Sequence, residues 1–132
     1  MGLLDRLRAL LSGDAASGLL DYPEQFRTER VASLHVHTAN LSPDTDELLV
    51  IVTLPHTARE LFSLLDAPLR LTAPDARAVT FVPVERAVDP ALDPNLGWII
   101  GVTGETIAEL TDLPAGPGEH ELSSLHLGIV LE

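Results

Sequence analysis

The sequence contains no cysteine and no lysine. Without cysteine there is no disulfide, no thiolate metal site and no thiol nucleophile. Without lysine all eight basic residues are arginine, set against twenty acidic residues, and the formal net charge is −12. A protein that grips phosphates needs a basic footprint, so this balance argues against a nucleic-acid partner. Aromatic residues make up only 4% of the chain, and Trp98 is the single tryptophan. At the start of an apolar run it reads as a core residue. No apolar stretch approaches the ~20 residues of a membrane-spanning helix. The N-terminus lacks the apolar region of a secretion signal, because Asp5, Arg6 and Arg8 interrupt it. The expected location is the cytoplasm. Gly-rich phosphate loops and the G-x-S-x-G nucleophile motif are missing. The acidic run Asp44, Thr45, Asp46, Glu47 lacks the spacing and glycine of a calcium loop.

What remains is a 132-residue chain, 45% hydrophobic, of a size suited to one domain with a real core. Its bias to Arg, Ala, Leu, Pro and Asp is that of a GC-rich bacterial genome. The most informative stretch is 47–66. Residues 48–54 form an apolar run broken only by Thr53, which suits a strand covered on both faces. Pro55 cannot continue a ladder and ends it. Thr57 and Glu60 have the T-x-x-E spacing of a capping box, and Leu61, Phe62, Leu64 and Leu65 come next at helical spacing.

Residues 2–11 place Leu3, Leu4, Leu7, Leu10 and Leu11 on one helical face. Residues 12–18 read as a connector, which leaves 19–132 as the domain proper. Within it, 19–30 reads as irregular or weakly helical. Strands are expected at 31–39, 69–72, 78–84, 97–103 and 122–131, and a second helix at 106–113. Pro83 suggests an edge or a bulge. In the last strand Leu125, Leu127, Ile129 and Leu131 share one face.

T-x-x-E-L occurs twice, from Thr57 and from Thr106, an offset of 49 (106 − 57). At that offset the strand 48–54 falls on 97–103, and each half reads ββαβ. The expected fold is therefore α+β. It has one five- to six-stranded, largely antiparallel sheet, a possible ββαβ duplication and an N-terminal amphipathic helix.

The sequence supports three readings of function. The leading one is a non-enzymatic cytoplasmic protein-binding or regulatory module that self-associates as a homodimer and needs no cofactor. Its contact surface would be Leu3, Leu7 and Leu10 on the N-terminal helix, with Leu125 and Leu127 on a terminal strand exposed as an edge. The runner-up is a small metal-dependent enzyme. His35 and His37, at i and i+2 on a strand, point to one face and could share a metal. His56 would be a third ligand, with His120, His126, Asp44 or Asp46 as further candidates. The plainer account puts both histidines on a solvated strand face. The third reading is an acidic inhibitor or immunity-type protein that masks a basic partner.

Overall fold

A computed structural model describes residues 25–40 and 48–132. Among them lie nine strands and two helices in two mixed sheets, an α+β arrangement. In chain order these are β1 (Arg27–Arg30), β2 (His35–Asn40), β3 (Leu48–Leu54), the 3₁₀ helix η1 (His56–Leu64), β4 (Leu69–Thr72), β5 (Val79–Pro83), β6 (Ala91–Asp93), β7 (Gly97–Val102), the helix α1 (Gly104–Thr111), β8 (Gly118–Glu121) and β9 (Leu127–Leu131). One sheet has the order β1-β4-β5-β7-β6 and the other β2-β3-β9-β8. The N-terminal amphipathic helix expected at 2–11 lies outside the described residues, as does the connector.

The single, largely antiparallel sheet expected from the sequence is corrected on two points. Three strands lie in segments where the sequence raises no expectation of a strand: charged β1, three-residue β6, and β8 beside two glycines. The pairing is also mixed, with parallel ladders between β1 and β4, β3 and β9, and β5 and β7. The apolar run 48–54 lies between two neighbours, β2 and β9, with one face in the core and the other only half-buried.

Residues 48–54 form β3 with the predicted bounds, and Pro55 ends it. The helix after Pro55 winds as a 3₁₀ helix rather than an α-helix, and Thr57 does not cap it. Pro55 holds the N-cap position in extended conformation with no side-chain bond. Thr57 and Glu60 are exposed. The second helix starts earlier than its T-x-x-E pattern suggests. Thr103 is its N-cap and accepts from the Thr106 N–H at 3.2 Å, as a capping hydroxyl does.

The last strand is not an edge. β9 lies between β3 and β8, parallel to the first and antiparallel to the second. Pro83 is likewise in an interior strand, at its last position, past the point where β4 stops pairing at Phe81. Its missing N–H therefore interrupts no ladder with β4.

One core joins both sheets and both helices. Val50, Val52, Leu54, Leu127, Ile129 and Leu131 enter it from the four-stranded sheet. Leu69, Leu71, Val79, Phe81, Ile100 and Val102 enter from the five-stranded one. Ala58, Phe62, Leu65 and Leu110 come from the helices and their ends. Phe62 meets Phe81 edge to face at 5.7 Å, a favoured aromatic geometry. Trp98 packs half-buried against this cluster.

The two halves pair with each other in one register. Val50 pairs with Leu127, Val52 with Ile129 and Leu54 with Leu131. Shifting the first residue of each pair forward by 48 and the second back by 48 gives Trp98 with Val79, Ile100 with Phe81 and Val102 with Pro83. All three are observed pairs. The relation is thus 48 rather than 49; β2 to β5 around η1 and β6 to β9 around α1 each run strand, strand, helix, strand, strand, and β1 stands outside that pattern.

Candidate protein-interaction face

Alternation along each strand of the four-stranded sheet sends one set of side chains to the core and the other outward. On β3 the outward set is Leu49, Ile51 and Thr53, all half-buried. On β9 it is Gly128 and Val130, with Ile51 leaning over Gly128. The registers then assemble two rows across the sheet. His35, Thr53, Val130 and Glu119 form one; His37, Ile51, Gly128 and Glu121 form the other. His35, His37, Glu119 and Glu121 are exposed, whereas Ile51, Thr53 and Val130 are partly covered. The outward face therefore has an apolar middle between an imidazole edge on β2 and a carboxylate edge on β8. At ~4.8 Å between neighbouring strands, these edges are roughly 14 Å apart.

Between α1 and the bend that precedes β9 lies a hydroxyl and carboxylate clamp. The Thr103 and Thr106 hydroxyls are 3.0 Å apart, and that of Thr106 is 2.8 Å from the Ser124 hydroxyl. Glu109 accepts from the Ser123 N–H at 2.8 Å and the Ser124 N–H at 2.9 Å. Burial pushes the Glu109 carboxyl up, but hydrogen bonds from Ser124 and Ser123 outweigh it, and the net shift is below the ordinary value of 4.5. The clamp fixes the bend between β8 and β9 onto α1.

The histidines separate. His35 and His37 do share a face, as i and i+2 on β2 must. His56 lies just past the end of β3, where its Nδ1 is 2.6 Å from the Glu132 carbonyl oxygen. His120 faces inward on β8 opposite Ile129, and its Nε2 is buried with no partner among the described residues. His126 is exposed in the bend before β9. Among the described residues no group of three His, Asp or Glu could hold a metal ion. Asp44 and Asp46 lie outside them.

Of the leucines proposed as a contact surface, Leu127 is fully buried and Leu125 is half-buried against the core. Both serve the fold of their own chain, because β9 is interior. Leu3, Leu7 and Leu10 lie outside the described residues. The part-exposed face on Leu49, Ile51 and Val130 was missed because 48–54 reads as covered on both sides. The one available signal for its acidic edge was Glu119-His120-Glu121, whose carboxylates fall at strand spacing. A separate shallow recess of 380 Å³ lies between η1 and α1, lined by Arg59, Glu60, Ser63 and Thr111. Arg59 is already engaged there with the Leu113 carbonyl at 3.0 Å.

No family model matches this chain, and no curated protein matches it. Among solved structures, the crystal structure of Drosophila Suppressor of Fused is similar over 97% of this chain, at 14% identity and a TM-score of 0.44. This chain spans 35% of the length of that one. Among the described residues no helix is long and apolar enough to cross a membrane.

Proposed function

We propose that this chain is a non-enzymatic protein-binding module that holds a basic protein partner on the outward face of its four-stranded sheet. One observation carries the reading: Leu49, Ile51 and Val130 stand part-exposed in the middle of that face, flanked by Glu119 and Glu121. An apolar centre with a polar rim is the anatomy of a protein interface. Covering the exposed parts of these side chains contributes on the order of a few kcal/mol, at ~25 cal/mol per Å². The net charge of −12 adds steering toward a positively charged surface. Covering such a surface is an inhibitory or masking mode of action. The proposal includes a cytoplasmic location, as the composition leads one to expect.

The test is co-purification from the native host, followed by titration of the recovered protein against this chain. The expected partner is basic, and its affinity falls as salt rises. Ile51→Asp and the pair Glu119→Lys/Glu121→Lys should each weaken the complex while leaving the fold intact. A recovered partner that binds both variants as tightly as the unmodified chain would sink the proposal.

A further inference from the structure

We propose that β2 is the contact strand of a homodimer, pairing antiparallel with β2 of a second copy. The observation is a comparison of the sheet edges and is independent of the basic-partner reading. An open edge presents unpaired backbone groups, and proteins blunt it with charge, shortness or proline. Among the described residues, three of the four terminal strands in the two sheet orders are blunted in these ways. β1 carries Arg27, Glu29 and Arg30 in four residues. β6 has only three residues, between Pro90 and Pro94. β8 carries Glu119 and Glu121. β2 is the exception. It runs six residues, His-Val-His-Thr-Ala-Asn, with no acidic residue, arginine, proline or bulge, and pairs with β3 without a gap.

The occupant this edge suits is a second copy of itself. Two β2 strands related by a two-fold axis each satisfy the other, and the contact closes. The strand order becomes β8-β9-β3-β2-β2-β3-β9-β8, within the usual size of a sheet. Both ends of that sheet are then β8 with its glutamates. Like charge opposes association of two chains at −12 each. Locally the opposition is weak. Glu119 and Glu121 sit three strands from the contact, roughly 14 Å away, beyond the ~8 Å screening length at physiological salt. A two-fold axis perpendicular to the sheet also keeps His35 and His37 of both copies on the outward face. The Leu49 and Ile51 patches of the two copies then lie on one continuous surface.

Sedimentation of the full chain across a micromolar concentration series tests this. The expected species has twice the 14.2 kDa of one chain. The double variant His37→Glu/Thr38→Glu puts a carboxylate on each face of the edge, as an acidic gatekeeper does. It should raise the dimer dissociation constant by ~10-fold or more, a loss of ~1.4 kcal/mol. Amide hydrogen exchange on the unmodified chain gives a second reading that needs no variant: protection of β2 should increase with concentration. A monomeric mass throughout overturns the proposal, as does a dimer whose β2 amides exchange alike at every concentration. Salt separates the two readings, since screening strengthens a dimer of like-charged chains and weakens a complex with a basic partner.

Discussion

Gly97 passes directly beneath the carbonyl of Ala78, to which the next residue, Trp98, donates its N–H at 2.9 Å. A Cβ at Gly97 would overlap the Ala78 carbonyl oxygen, and the backbone there has φ +87°. The same glycine closes the three-residue turn after β6, where Asp93 accepts from the Asn95 and Leu96 N–H groups at 2.7 and 2.9 Å. Turn geometry and the β5–β7 contact thus both demand glycine.

Gly97→Ala should accordingly destabilise the fold by at least ~2 kcal/mol, combining a left-handed conformation with a backbone clash. Urea denaturation measures it. A midpoint close to that of the unmodified protein would show that β5 and β7 can separate without loss.

Thr103 and Thr57 should respond differently to alanine. Thr103→Ala removes the cap of α1 and one of the two hydroxyl partners of Thr106, Ser124 remaining, at a cost of about 1 kcal/mol. Thr57→Ala touches an exposed hydroxyl that caps nothing, and should stay within ~0.5 kcal/mol. Equal losses at both positions, read from parallel denaturation curves, would restore Thr57 as a cap.

Glu109 should make stability depend on acid pH. Its folded carboxyl titrates below the ordinary 4.5 because Ser123 and Ser124 donate to the charged form, against the opposing effect of burial. A depressed pKa contributes stability above the unfolded value, and that contribution disappears as pH falls through the folded value. The difference in unfolding midpoint between the unmodified chain and Glu109→Gln should therefore be steady at neutral pH and shrink below pH 4.5. A pH-independent difference would assign the clamp to shape rather than charge.

His120→Leu should be neutral or stabilising by up to ~1 kcal/mol. The Nε2 atom is buried without a partner, and an apolar side chain of similar size removes that desolvation cost. A large loss on thermal unfolding would reveal a bond to this imidazole that the described residues do not contain.

Local chemistry alone placed several elements. The Val- and Ile-rich run and Pro55 set the bounds of β3. Period-two alternation placed His35 and His37 on one outward face, because successive strand residues point in opposite directions whatever their neighbours. The helical spacing after Pro55 located η1, though not its tighter winding. Capping was legible only as a pattern, and which threonine caps depends on where the preceding strand stops. β1, β6 and β8 were not legible at all. Short charged or glycine-flanked segments become strands only when a neighbour supplies a ladder, and in every case that neighbour is a strand distant or reversed in sequence. The same long-range pairing decided which leucines are surface. Leu127 became core because β3 lies beside β9 across 77 residues (127 − 50), and Ile51, one residue out of phase with buried Val50 and Val52, stays half-exposed on the other side of the sheet. Composition and periodicity are sums over neighbours in the chain. Exposure depends on neighbours in space, and only the tertiary pairing sets those.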